Sequence, residues 1–304
     1  MVVGVSTRNY RRSIERMPKE TKTRGVSKSA VSRRFVDGTT RELAKMRALD
    51  ISKLSICVVM IDGIHVGEHV VLVALGIDEK GEKHILGLRD GATENTVVCK
   101  SFVGDLIARG LSAEKATLFV IDGGKGIAAA IESYFGEYAL VQRCQVHKNR
   151  NVEGHLPQSI RRNVGRSIAT AYKTRDAARA KQKLERLANQ LEDDYPSAAA
   201  SLREGLDETL TVLHFELGEW LTKTLATTNP LEFINGRLRK TTANVDRWRD
   251  GKMVCRWIAI GLREAAKTFR KLRGYKQMSK LVAVLRGHDA ELNPSAVDAS
   301  RKAA

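Results

Sequence analysis

Between residues 55 and 88 three apolar, β-branched runs stand almost end to end. The first covers 55–61 and the second 69–77; Asp78-Glu79-Lys80-Gly81 then makes a turn signal before the third, 83–88. Connections this short leave no room for a crossover, so the three runs must pair in hairpin order. A helical stretch follows at 93–109, with Gly110 placed to cap its end. A buried-type strand at 116–121, a helix at 126–134 and a short strand at 138–142 complete a mixed sheet of about five strands. From about 151 to 225 strand signals vanish. Ala, Leu, Arg, Lys and Gln fill 159–191, and a second helical stretch follows Pro196. Helical character resumes at Pro230, breaks near Asp250-Gly251 and continues to about Arg286.

Three hairpin strands followed by helix, strand, helix and strand is the order expected of a ribonuclease-H-like fold. The expected architecture is α/β: that mixed five-stranded sheet with helices, interrupted by an all-helical insertion. Residues 1–50 form an N-terminal helical segment, 51–152 the first part of the core, 153–225 the insertion, 226–270 the closing helices, and 271–304 a basic helix and tail. Within the first segment, Gly4-Val5-Ser6 precedes one basic stretch and Gly25-Val26-Ser27 a second. In each the Ser can cap a short helix, over 7–16 and 28–35. Two such helices resemble a helix-turn-helix, with Lys28, Ser29, Ser32, Arg33 and Arg34 on the second as candidate DNA contacts.

Charge points the same way. The chain carries a net +17, unevenly spread. Residues 1–50 sum to +8 and 226–304 to +10, whereas 51–140 sum to −4. Basic ends around an acidic centre suit a polyanion such as double-stranded DNA; a solubilising surface is the plainer account. Aromatics at 5% argue against base-stacking platforms for single strands. The longest apolar run is far too short to span a bilayer. With no signal-type stretch between Met1 and Arg11, a cytoplasmic, nucleoid-associated protein without a membrane partner is expected. Four cysteines without CxxC spacing argue against a disulfide framework.

The candidate chemistry rests on carboxylates. Asp62 is expected at the end of the first strand and Asp122 at the end of the fourth, which lie side by side in this topology. Paired carboxylates repel unless a cation sits between them, and hard oxygen ligands suit Mg²⁺, with Mn²⁺ as substitute. Glu232, beyond the insertion, is placed to complete a two-metal site. Each also admits a structural role. Asp62-Gly63 and Asp122-Gly123 read as strand-ending turns, and Glu232 as the third residue of a capping box begun by Asn229 and Pro230. Cys144 and His147, one helical turn apart, lack the two further ligands a zinc site needs. Gly123-Gly124-Lys125-Gly126 lacks the spacing of a phosphate loop. Arg239, seven residues after Glu232 on the same face, is expected to meet a backbone phosphate.

The ordered motifs resemble one family closely. Met60-Ile61-Asp62-Gly63, Ala74-Leu75-Gly76-Ile77, Leu86-Gly87-Leu88, Gly91-Ala92-Thr93-Glu94-Asn95, Val120-Ile121-Asp122-Gly123 and Gln142 through Lys148 occur in sequence. Thr228-Asn229-Pro230-Leu231-Glu232 and Arg247-Trp248 close the series. Together they look like Mutator-type bacterial insertion-sequence transposases over about residues 4–270. The resemblance implies Asp62, Asp122 and Glu232 as an Asp-Asp-Glu (DDE) triad and Cys144 with His147 as a supporting Cys-x2-His motif. It further implies Mg²⁺-dependent DNA cleavage and strand transfer at terminal inverted repeats, and a homo-oligomer to hold both ends. One rival is a truncated, non-catalytic DNA-binding remnant that represses its parent element. Another is a nuclease that cuts without joining.

Overall fold

The computed structural model describes residues 27–243 and 245–294. Its centre is a sheet of five strands: β1 (Ile56–Val66), β2 (His69–Asp78), β3 (Lys83–Asp90), β4 (Thr117–Ile121) and β5 (Ala139–Arg143). The strand order is β3-β2-β1-β4-β5. β1, β2 and β3 pair antiparallel, while β4 joins β1 and β5 joins β4 in parallel. The mixed sheet and its α/β class are therefore those the sequence pattern requires.

Alternation along the strands sorts two apolar faces. Val59, Ile61, Leu72, Ala74, Phe119 and Ile121 bury against two helices, α2 (Thr96–Ala108) and α3 (Lys125–Phe135). The N-terminus of α2 is capped by Asn95, whose side chain accepts from the Val98 N–H at 3.1 Å. Its end is closed by Gly110 at φ +102, a left-handed position where glycine carries no steric penalty. The opposite face, with Val58, Met60, Ile64, Leu118 and Val120, packs on helices from both ends of the chain. These are α1 (Lys28–Arg47) and, far later, α10 (Asn229–Thr242), α11 (Gly251–Ala266) and α12 (Met278–Leu292). Between them run α4 (Gln145–Gly154), α5 (Gln158–Tyr172), α6 (Ala177–Leu191), α7 (Pro196–Arg203), α8 (Thr211–His214) and α9 (Glu219–Leu225). Val164, Ile168, Leu184, Ala188 and Leu202 form an apolar cluster of their own in this helical stretch; Leu221 and Leu225 belong instead to the cluster under the sheet.

Three local expectations change. The helix expected over 28–35 continues to Arg47, because Thr39 and Leu43 extend the buried face of Val31 past Gly38. The first helix of the proposed helix-turn-helix, over 7–16, lies outside the described residues. Asp62 does not end its strand: β1 runs four residues further, paired with β2 as far as Val66 opposite His69, and the turn falls at Gly67, φ +59. What stops at Ile61 is only the parallel pairing with β4. Nor does a capping box form at α10. Its N-cap is Thr228, without a side-chain cap bond, and Glu232 turns to an arginine of α4.

Candidate active site

Ile61 and Ile121 are the last parallel pair of β1 and β4, so Asp62, still within β1, and Asp122, just past the end of β4, follow side by side. Each is fixed by the backbone that carries it. Asp62 Oδ1 accepts the Gly63 N–H at 2.9 Å, and Asp122 Oδ1 accepts the Gly124 N–H at 2.9 Å. The second oxygen of Asp122 accepts from the Thr93 hydroxyl at 3.1 Å. Thr93 reaches it because Gly124 and Gly126 leave room: a Cβ on either would meet Thr93 at under 3 Å. Close approach of Thr93 therefore explains the glycines that might otherwise suggest a phosphate loop.

Burial pushes the Asp62 carboxyl up to about 6; Asp122 adds to the rise, and His147 and the Thr228 hydroxyl oppose it. Cys144 and His147 stand beside this carboxylate. Cys144 is the N-cap of α4, buried, and its sulfur accepts from the Thr228 N–H at 3.4 Å. Thr228 Oγ1 lies 3.4 Å from His147 Nδ1. The bond to Cys144 holds the imidazole up at about 9 against its burial, with Asp62 and Asp122 supporting the charge. Burial resists ionisation of the thiol, but the bond and charge of His147 hold it below its ordinary value. Cys144 and His147 thus hold one another beside the two carboxylates, with the imidazole held up toward its charged form.

Glu232 lies one turn into α10, on the helix that Thr228 anchors to this cluster. Its Oε1 is held by Arg150 Nη1 of α4 at 3.1 Å. Among the described residues, Asp78, Glu82 and His84 are the one acidic or metal-ligating trio whose ligand atoms all lie within 4.8 Å of one another. The geometry brings Asp62 and Asp122 together and leaves Glu232 on the neighbouring helix, paired with Arg150. Arg239 is exposed further along α10; with Asn235 and Trp248 it lines a hollow of about 170 Å³ against Ile64, His65 and Gly67. Lys28, Ser29, Ser32, Arg33 and Arg34 are all exposed on α1, away from the buried face of Val31 and Leu43.

Thr93, Thr228 and Arg150 are the participants that spacing alone does not single out, although the first two lie within motifs that do stand out. Arg143 is a fourth. Buried at the end of β5, it donates to the Gly123 carbonyl at 2.9 Å and to the Glu204 carbonyl at 3.2 Å, joining the turn after Asp122 to the helical insertion.

Residues 1–271 match the family described as "Transposase, Mutator family". Among similar proteins, the transposase for insertion sequence element ISRM5 of Rhizobium meliloti is 34% identical over 172 residues, 57% of this chain and 42% of that protein. The transposase for IS6120 of Mycolicibacterium smegmatis is 28% identical over 223 residues, 71% of this chain and 67% of that protein. For IS1081 of Mycobacterium tuberculosis the figures are 27% over 274 residues, 86% and 63%. The matched segments thus span about two fifths to two thirds of these relatives' own lengths. With a family match that takes in most of its length, the chain belongs to the Mutator family of transposases.

Proposed function

We propose that this chain is a DDE transposase that cleaves DNA and transfers strands at the terminal inverted repeats of an insertion sequence, in a Mg²⁺-dependent reaction. The observation that carries the reading is the juxtaposition of Asp62 and Asp122 one residue beyond the last parallel pair of β1 and β4. The sheet order and the helical interruption after β5 suit a ribonuclease-H-like core. The basic α1, with Arg33 and Arg34 exposed, suits a DNA-binding arm. Holding two element ends calls for at least two copies of the chain. Among the described residues no helix is long and apolar enough to cross a membrane.

The donor set fits a hard divalent cation. Asp62 and Asp122 offer carboxylate oxygens side by side, and their repulsion, part of what lifts Asp62, is the kind a cation relieves. Asp62 and Asp122 would hold the ions, with Glu232 once it leaves Arg150. Bound there, such ions supply Lewis acidity for an in-line displacement at phosphorus and stabilise the leaving oxygen. The protein's own groups prepare that chemistry. Thr93 and the Gly124 N–H fix Asp122, the Gly63 N–H fixes Asp62, and Thr228 ties α10 to Cys144 and His147. The His147 cation offsets the two carboxylates, and Arg150 does the same for Glu232.

The test uses DNA carrying the ends that flank this gene. Wild-type protein in Mg²⁺ or Mn²⁺ is expected to nick and join it, and an Asp62→Asn protein to do neither. Tight binding without cleavage would replace this reading with that of a DNA-binding remnant. Cleavage without joined product would make it a nuclease.

A further inference from the structure

An open groove of about 750 Å³ lies between the start of α3, the end of α4 and α7. Its walls carry Lys125, Arg150 and His155, with Asn151, Ser197 and Ser201 between them. Lys125, Arg150, Asn151, His155 and Ser197 are all exposed to it. Glu204 is the one acidic residue of the lining, and its carboxylate lies 3.8 Å from both Arg143 Nη2 and Lys148 Nζ. Those two cations, buried at 9% and 3% relative exposure, offset its charge from behind. Among the described residues neither Lys125 nor His155 makes an ion pair. The groove therefore presents positive charge and hydrogen-bond donors, with its one carboxylate already countered.

Two of its residues tie the groove to the candidate site. Lys125 follows Asp122 by three residues, and Arg150 reaches from the groove to Glu232 at 3.1 Å. From this arrangement we infer that the groove is a track for the sugar–phosphate backbone of DNA, with Lys125 and Arg150 as its phosphate contacts nearest the carboxylates. The Arg150 guanidinium can give the Glu232 carboxylate up for a phosphate, which matches its fork of donors equally well. The inference rests on the DNA-processing reading above and adds to it the path by which the strand arrives.

The experiment measures binding of a fluorescein-labelled 20-bp duplex of random sequence by full-length protein without divalent cations, over a series of KCl concentrations. Random sequence and absent metal separate it from end recognition and from catalysis. A Lys125→Gln/Arg150→Gln protein is expected to bind about tenfold more weakly at 100 mM salt, with a log–log salt slope shallower by about 2. Asn151→Glu, an exposed change that puts a carboxylate into the track, is expected to weaken binding in the same direction. Unchanged affinity and slope in both proteins, with melting temperatures matching wild type, would overturn the groove even if the wild-type chain cuts and joins DNA. The reverse result is as clear: the loss of slope upholds the groove even if the wild-type chain never cleaves, in which case only the transposase reading falls.

Discussion

Asp62 sits where burial and a second carboxylate both oppose its charge, which is why its carboxyl is pushed up to about 6 from an ordinary 3.8. An acid whose pKa is raised by folding contributes stability that is complete below the unfolded value and is lost as pH rises through the folded one. Asp62 therefore weakens the metal-free fold progressively between about pH 4 and 6, and by a constant amount above. Replacing it with asparagine removes that penalty. Without divalent cations the Asp62→Asn protein should match wild type in urea near pH 4 and exceed it by up to about 3 kcal/mol at pH 7.5. Equal advantage at both pH values would show that the carboxyl is not strained by its surroundings. Both aspartates were legible in the sequence, since each follows a buried apolar run, 55–61 or 116–121, whose neighbours in the sheet the element order dictates. Thr93 and Thr228 were not. Their partners are 29 and 84 residues away, and no local periodicity signals a hydroxyl that points across such a distance.

At the scale of elements the sequence read limits best where a turn signal marks them, as at β2 and β3 but not at the end of β1, which runs on to Val66. A strand's limits are marked by turns such as Asp78-Glu79-Lys80-Gly81, and β2 and β3 start and stop within two residues of where those signals put them. A helix can run through a stop signal when its next turn still buries something. In α1, expected to end at Phe35, Thr39 and Leu43 continue the buried face past Gly38, while Phe35 meets Trp257 of α11 at 4.7 Å between ring centroids. Packing outweighs the roughly 1 kcal/mol that a mid-helix glycine costs relative to alanine. The same reasoning says what happens when the glycine goes. A Cβ at Gly38 would meet nothing within 4 Å, and its φ is not positive. Gly38→Ala should therefore stabilise the protein by about 0.5–1 kcal/mol, read as a higher urea midpoint with an unchanged slope. A helix that ended at Phe35 would show no such gain.

In the whole molecule, α5 to α7 of the insertion have an apolar cluster separate from those of the sheet, and two buried cations tie α7 to α4 and β5. The insertion's helices were legible from composition, but its attachment was not, because a buried cation that serves another element's carbonyls leaves no pattern in its own. Lys148, on α4, is that cation. Its ammonium reaches the carbonyls of Ser201 and Glu204 at the end of α7, where the helix leaves acceptors without partners of its own. Burial lowers its pKa to about 8, so near neutral pH it still holds its proton and donates. Arg143 makes a second tie, from β5 to the Glu204 carbonyl. Lys148→Met keeps the aliphatic volume but leaves the Ser201 carbonyl unpaired and the Glu204 carbonyl with Arg143 alone, at a cost of about 1–3 kcal/mol. The loss should be local in its first effect. In hydrogen exchange at pH 7, amides of α7 and the end of α4 should lose protection well before those of β1 and β4, whose bonds lie inside the sheet. Uniform loss across sheet and insertion would mean that the two unfold as one unit and that Lys148 is not the tie between them. Because α4 also carries His147 and Arg150, a loosened α7 should reach the candidate site as well: cleavage and joining of element ends by Lys148→Met should fall while the Asp62 and Asp122 strands remain protected.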